Sequence, residues 1–315
     1  MRAHGHWWHH GNQNRWVALV DGEIAAYCGI IPTQCLINGG RESGFWWVDL
    51  VVAPEFRGRG VQRFLDTEID RMGELKLGFP NSLAARIHRK HGWGVRGDMR
   101  VLMFPLRPLR VKKVRTGSGF PGSMLRGSAC LATPFAALMR RHTMRYEPLT
   151  ARIVEAPSPD LLAGIFERHK EKGTATTYRD GDYVRSRYFD APYRAELSFF
   201  IAGPASLPTH FVVARNLTIN GVKTTRLLDV FGDFADLEGL EDVLKLAVKD
   251  GARQGSSQIT TLASIPELRA VLRSMGFLIG TKTRFCWRSN SQNVMRSLGL
   301  RGHWVLGDSD NDAPE

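Results

Sequence analysis

One succession of features limits the possible folds of this chain more than any other. An apolar strand ends at Pro54, a glycine-rich basic turn with the sequence R-G-R-G follows, and helical spacing of apolar residues begins at Val61. Gly58 and Gly60 can turn their backbone N–H groups inward without obstruction by a side chain. A helix N-terminus behind such a turn carries unpaired N–H groups and a partial positive charge, so this stretch predicts a pyrophosphate site.

The two arginines of the turn, Arg57 and Arg59, add attraction for anionic oxygens. A Walker loop is excluded because no G-K-S or G-K-T sequence follows the glycines. A dinucleotide-binding turn needs parallel strands on both sides, whereas the segments before this turn predict antiparallel hairpins. The phosphate ligand therefore belongs to another class.

The residues around the turn predict a compact α/β block. Asp21-Gly22 is a strong signal for a two-residue hairpin, and Asn38-Gly39 marks a second turn. Asn81 is a suitable N-cap, and Gly92 ends the helix that Asn81 begins. The predicted elements are strands over 16–20, 24–31 and 45–52, a helix over 61–75, a strand over 76–79, a helix over 82–91 and a strand near 99–104.

The second half of the chain repeats this order. The sequence I-N-G occurs at 37–39 and again at 219–221, and H-G-W at 91–93 corresponds to M-G-F at 275–277. This similarity predicts a divergent internal duplication. The predicted elements are a strand near 153, a long polar helical region over 159–187, strands over 196–201, 210–217 and 224–231, a helix over 237–251, a strand over 258–263 and a helix over 266–274.

The turn and the strand before it resemble motif A of the GNAT acyltransferases, R-x-x-G-x-G/A after a strand that ends in x-V-x-P. The matching residues are Arg57 and Gly60 after Val52 and Pro54, whereas Gln62 replaces the small residue of the motif. The segment 79–93 is similar to the Asn-capped helix with which GNAT domains commonly close. The match is good over about residues 16–104 and only degenerate over 151–290.

The resemblance implies an α/β (α+β) fold with two GNAT-like domains, each with a mixed, mostly antiparallel central sheet flanked by helices. It implies an acyl-CoA-dependent N-acyltransferase that uses acetyl-CoA or a related thioester as cosubstrate, with no metal. The acid-rich counterpart of the turn in the second half lacks arginine, so cofactor binding is expected in the first domain alone. The implied cofactor-binding residues are Leu50, Val51, Val52, Arg57, Gly58, Arg59, Gly60, Val61, Gln62 and Asn81.

Two residues are candidates for proton transfer. Asp49 is the carboxylate on the strand where GNAT enzymes commonly place a base, and its alternative role is a structural hydrogen bond at the strand end. His88 stands at the helix position where the family often has a tyrosine that protonates the leaving thiolate. Its alternative is an ordinary exposed helix residue. The histidines near the N-terminus, such as His9 and His10, have no partner set that predicts a metal site.

The chain divides in sequence into a first GNAT-like domain over 1–104, a basic linker with a short helix over 105–150, a degenerate second domain over 151–290 and a polar C-terminal tail over 291–315. The helix of the linker is expected within residues 130–141. By comparison with the second domain, the first lacks its opening strand and first helices. That difference predicts either a truncated product or elements that something else supplies.

Charge and composition narrow the function classes. The net charge is +12, but nine Lys and Arg with one Glu fall within residues 105–150, so the excess marks a linker rather than a nucleic-acid-binding face. The chain contains no apolar run long enough for a membrane helix. The start of the sequence does not read as a secretory signal, and the four cysteines are widely spaced. These features predict a cytoplasmic protein.

Three hypotheses stay open. The first is the acyltransferase, with an amine of a small molecule, sugar or peptide as acceptor, and with a homodimer left open. The second is a non-catalytic acyl-CoA-binding or scaffold protein, because the missing first helices usually shape the acceptor site. The third is a nucleic-acid or membrane-surface binder that acts through residues 105–145, where Lys112, Lys113 and Arg115 would carry salt-sensitive binding.

Overall fold

A computed structural model describes residues 15–71, 75–107, 138, 141, 145–171 and 174–309. The chain forms two compact units, and neither is a continuous stretch of sequence. Unit 1 comprises Met1–Met99, Glu171–Tyr178 and Thr283–His303, and unit 2 comprises Arg100–Lys170, Arg179–Lys282 and Trp304–Glu315.

Unit 1 begins with an antiparallel meander. Its turns at Asp21-Gly22 and Asn38-Gly39 have all four central residues at positive φ, the conformation that a tight hairpin requires. The elements are β1 (Arg15–Val20), β2 (Glu23–Ile37), β3 (Gly40–Val52), α1 (Val61–Asp70), β4 (Leu75–Gly78), α2 (Ser82–Lys90) and the start of β5 (Gly94–Pro105). These elements confirm the predicted order β-β-β-α-β-α-β.

The sheet of unit 1 also includes β7 (Ala175–Thr177), β12 (Leu278–Arg288) and β13 (Gly302–His303). Its strand order is β13-β7-β2-β3-β4-β12, with β1 paired to β2. β4 runs parallel to β3, and the remaining pairs of the meander are antiparallel. Helix α1 packs its apolar face on this sheet because its buried residues recur at helical spacing, as Val61, Leu65 and Ile69 do. Around them lies a core that includes Cys28, Ile30, Phe45, Trp47, Phe56 and Trp93.

Unit 2 repeats the same order around its own sheet. Its elements are β6 (Arg152–Val154), α3 (Pro159–His169), α4 (Gly181–Val184), β8 (Leu197–Ala202), β9 (His210–Ile219), β10 (Val222–Gly232), α5 (Leu237–Arg253), β11 (Gln258–Ala263) and α6 (Pro266–Ser274). The strand order is β5-β11-β10-β9-β8-β6. The third strand of the meander again pairs in parallel with the strand that follows the first long helix. The predicted fold class, a mixed α/β fold of two domains with mostly antiparallel central sheets flanked by helices, is confirmed.

The long helical region predicted over residues 159–187 is wrong. Helix α3 ends at His169, and strand β7 (Ala175–Thr177) interrupts the region before α4 begins. Every residue of β7 is buried, and the strand belongs to unit 1, where it pairs with β2 and with β13 (Gly302–His303). The polar sequence around β7 hid this strand because three residues are too few to show a period of two.

The polar tail predicted over residues 291–315 is also wrong for its described part. Strand β12 (Leu278–Arg288) leads into helix α7 (Gln292–Leu300), and β13 follows. Beyond β13 lies a single 3₁₀ turn, Leu306–Asp308, in which all three residues are buried. The segment is mostly polar in sequence, but its few large apolar residues, such as Leu298 and Trp304, are fully buried.

The sequential division of the chain differs from the two units, because the unit boundaries fall inside β5 and β12. The expected linker over 105–150 starts within unit 2, where Leu106 and Arg107 donate to the carbonyl oxygen of Ser257. The helix predicted over 130–141 lies outside the described residues except Leu138 and Arg141, which are exposed. Lys112, Lys113, Arg115 and the histidines before residue 15 also lie outside the described residues. No helix among the described residues is long and apolar enough to span a membrane.

Candidate functional site

The third strand of unit 1 has a β-bulge at Asp49, the predicted general base. Between Val51, which pairs with Tyr27, and Val48, which pairs with Gly29, strand β3 contains one residue more than β2. Asp49 lies in this bulge with φ at 53°, a backbone conformation that non-glycine residues rarely adopt. Its side chain is half-buried. The bulge interrupts the regular pairing at residues 49–50, and pairing resumes at Val51.

The glycine-rich turn follows β3 after a single 3₁₀ turn, Pro54–Phe56. Gly58 and Gly60 have φ of 80° and 81°, and no atom lies within 4 Å of a Cβ built on either residue. Gly60 is the N-cap of α1, and no side chain caps this helix. The first N–H groups of α1 therefore have no intrahelical partner and no capping side chain. These features fit an anionic group such as the pyrophosphate of coenzyme A.

The side chains of the turn differ in their contacts and in their exposure to solvent. Arg57 donates from Nε to the carbonyl oxygen of Val52 at 3.1 Å, which ties the turn to the end of β3. The guanidinium of Arg59 lies 5.4 Å from the centre of the Phe56 ring, and Arg59 is exposed. Gln62 stands where the family motif has a small residue. Its Nε2 is buried and has no hydrogen-bond partner among the described residues.

His88 is buried, so it is not the exposed helix residue that was its alternative interpretation. Its side chain is buried between two tryptophans, with ring centres 5.4 Å from Trp47 and 4.5 Å from Trp93. Burial, and secondly the nearby His91, lowers the pKa of His88 to about 4. The imidazole is neutral at neutral pH, so it holds no imidazolium proton for a leaving thiolate.

Asn81, another predicted cofactor residue, has a structural role. Its Oδ1 accepts hydrogen bonds from the backbone N–H groups of Leu83 and Ala84 at 3.0 and 2.9 Å. These bonds cap α2 as its sequence predicts. Of the remaining predicted cofactor residues, Val51 is exposed and Leu50 and Val52 are half-buried at the end of β3.

In the corresponding turn of unit 2, aspartate side chains bind backbone N–H groups near the start of the helix. Strand β10 also has a bulge, between Leu227 and Asp229. The N-cap of helix α5 is Asp236, whose carboxylate accepts from the N–H of Gly239 at 3.0 Å. Asp233 likewise accepts from the N–H of Ala235. Carboxylates already accept hydrogen bonds from N–H groups at this helix start, so we expect it to repel a pyrophosphate.

The first part of the chain matches one family model. The sequence of residues 1–92 matches the model of the acetyltransferase (GNAT) family. No curated protein sequence matches this chain.

Solved structures show the same fold at low sequence identity. A GCN5-related N-acetyltransferase from Anabaena variabilis matches with a TM-score of 0.57 and 14% identity, over 88% of this chain and 63% of its own. The N-myristoyltransferase of Saccharomyces cerevisiae, solved with bound myristoyl-CoA, gives 0.59 and 14% over 85% and 67%. A probable N-acyltransferase from Enterococcus faecalis gives 0.55 and 11% over 89% and 63%. This chain thus spans about two thirds of the length of these proteins.

Sequence reasoning missed a buried polar cluster in unit 2. Arg179 and Asp229 are both fully buried and form an ion pair of 2.7 Å, which Asp308 and Tyr188 join. Arg179 lies in the polar sequence T-Y-R-D-G-D and gives no periodic signal, so only the structure shows that it is an interior residue.

Proposed function

We propose that this protein is an acyl-CoA-dependent N-acyltransferase whose single cofactor site lies in unit 1. The observation that carries the proposal is the open turn at Gly58 and Gly60, which leads into the uncapped start of α1. The backbone N–H groups at the start of α1 would hold the pyrophosphate, and Arg59 would add charge. The bound thioester would supply the activated acyl group.

The reaction class follows from the residues present. Attack of an amine on a thioester needs the amine to lose a proton, and Asp49 is the carboxylate at the bulge beside the proposed cofactor site. Asp49 would accept that proton, directly or through water. The acceptor we propose is an amine on a small molecule, sugar or peptide, and the acyl donor is acetyl-CoA.

Calorimetric titration with acetyl-CoA tests the site. We expect micromolar binding by the wild-type protein. Gly60→Ala should weaken it about tenfold, since alanine strains the left-handed backbone and moves the N–H groups, and tenfold corresponds to about 1.4 kcal/mol. Gly92→Ala is the matched control, because Gly92 has the same φ of 81° with the same open space but ends α2. Equal affinity of both variants would contradict the proposed site.

A second candidate function is acyl-CoA binding without turnover. Burial of His88 and its low pKa favour it, since the predicted proton donor holds no imidazolium at neutral pH. Release of free thiol in the presence of a panel of amines separates the two functions. Thiol release supports the transferase, whereas binding of acetyl-CoA without release for any amine supports the binding protein.

A further inference from the structure

The last described residues of the chain lie in a gap of unit 2, between the ends of strands β10 and β11. This gap is called the cleft. Strands β10 and β11 pair in parallel only from Thr224 to Leu227 and from Gln258 to Thr261, after which they no longer pair. Residues 304–309 lie between the two strand ends. Ser264, directly after β11, exchanges two hydrogen bonds with Trp304 through its Oγ, at 2.8 and 2.9 Å. The opposite side of the segment approaches Leu228 in β10, next to Gly307.

The cleft binds the main chain of this segment through buried side chains. Arg187 donates from Nε to the carbonyl oxygen of Gly307 and from Nη2 to that of Ser309 at 2.7 Å. Its third contact is the hydroxyl of Tyr193, at 3.1 Å from Nη1. The Arg187 side chain is buried, so these carbonyl groups supply hydrogen bonds that its charge needs in the interior.

The cleft also recognises one side chain of the segment. Asp308 accepts from Arg179 Nη2 at 3.2 Å and from the Tyr183 hydroxyl at 3.4 Å through Oδ1. Its Oδ2 accepts from the N–H of Val305 at 2.8 Å, which closes the segment into a turn. The Asp308 carboxylate therefore pairs with the positive charge of the cleft and also holds the segment in a turn.

The position of Gly307 leaves little room for a side chain. A Cβ built there would lie 3.0 Å from the Tyr188 hydroxyl oxygen and 3.1 Å from the carbonyl oxygen of Leu228. The Tyr188 hydroxyl donates to Asp229 at 2.8 Å, so it has little freedom to move. The cleft therefore selects a glycine followed by an aspartate.

We propose that the cleft of unit 2 is a peptide-binding site for a short turn-forming peptide with a Gly-Asp pair, and that residues 304–309 occupy it as a tethered ligand. Two arginines, two tyrosines and a serine contact the segment, whereas space filling alone needs only apolar residues, which would be at least as stable. The site lies where unit 1 is proposed to hold its acyl donor. Unit 2 thus binds peptide in place of a cofactor, independently of what unit 1 binds.

The experiment displaces the tethered segment and supplies it as a free peptide. The full-length Gly307→Val variant is titrated with the fluorescein-labelled peptide W-V-L-G-D-S, amidated at its end, and binding is followed by fluorescence polarisation. We expect the variant to bind at least about tenfold more tightly than the wild type, whose cleft is filled. Gly299→Val is the matched control, because Gly299 is exposed on α7 and its Cβ would make only ordinary contact.

A second variant covers the case in which Gly307→Val does not fold. Asp308→Asn keeps the shape of the segment but removes the negative charge that pairs with Arg179. The tethered segment of this variant should bind the cleft more weakly, so the free peptide should displace it more easily than it displaces the wild-type segment. A peptide with Asn in place of Asp should bind about tenfold more weakly. Absence of peptide binding to folded Asp308→Asn protein, or equal binding of the Asp and Asn peptides, would overturn the proposal.

Discussion

Arg179 donates from Nε to Asp229 Oδ2 over 2.7 Å in the interior of unit 2, where neither side chain is exposed to solvent. The pair is not isolated. The Tyr188 hydroxyl donates to the same carboxylate oxygen, and Asp308 contacts the other side of the guanidinium. A buried charge with several partners stabilises the fold only as long as all partners are present.

Removal of Arg179 should therefore be costly. Arg179→Met leaves Asp229 and Asp308 buried without their cation, and we expect the free energy of unfolding to fall by about 3–5 kcal/mol. Urea denaturation monitored by circular dichroism measures the loss. Arg71→Ala removes an exposed arginine that pairs with Glu68, and should change stability by less than about 0.5 kcal/mol. Equal losses for the two variants would show that the buried pair has no special role.

The role of Asp49 can be separated from its backbone conformation. If Asp49 accepts the proton of the amine, Asp49→Asn should lower kcat by about 10²–10⁴-fold and leave acetyl-CoA affinity unchanged. Steady-state kinetics and calorimetry on the same protein give both quantities. Asp21→Asn is the control, because Asp21 has nearly the same positive φ, 52°, but lies in the first hairpin turn. A normal kcat for Asp49→Asn would assign the carboxylate to the structure of the bulge.

His88 makes the stability of unit 1 sensitive to acid. Its pKa is about 4 in the folded chain and near 6.5 in the unfolded chain. Between these values only the unfolded chain binds the proton, so the stabilisation by neutral His88 is fully present above about pH 6.5 and is lost as the pH falls toward 4. One proton gives a slope of about 1.4 kcal/mol per pH unit.

The His88→Gln variant should lack this contribution. We expect its free energy of unfolding to fall less steeply than that of the wild type between about pH 6.5 and 4.5. Urea denaturation at several pH values provides both curves. Parallel curves for the two proteins would mean that His88 titrates normally in the folded chain.

Cys28 should be unreactive in the folded protein. It is fully buried, and burial raises the pKa of its thiol to about 12, so almost no thiolate exists near neutral pH. Iodoacetamide labelling followed by peptide mass spectrometry should modify Cys28 only after unfolding in guanidinium chloride. Rapid labelling of Cys28 under native conditions would show that the core of unit 1 opens readily.

The local order of the chain was determined by the sequence. The hairpins at Asp21-Gly22 and Asn220-Gly221, the turn at Gly58 and Gly60, and the helix capped by Asn81 all depend on residues that are neighbours in sequence. Turn chemistry, capping and periodicity act over a few residues, so their signals remain readable without the tertiary structure. They suffice to predict the α/β order, the duplication and the proposed cofactor turn.

Tertiary structure decided which distant segments complete each unit. Strand β7 and helix α7 enter unit 1 from the second half of the chain, and residues 304–309 enter the cleft of unit 2. The burial of His88 between Trp47 and Trp93, and the ion pair of Arg179 with Asp229, depend on contacts across many residues of sequence. Short strands and polar segments carry little periodic signal, because a buried polar group is stabilised by its partners and not by its own hydrophobicity.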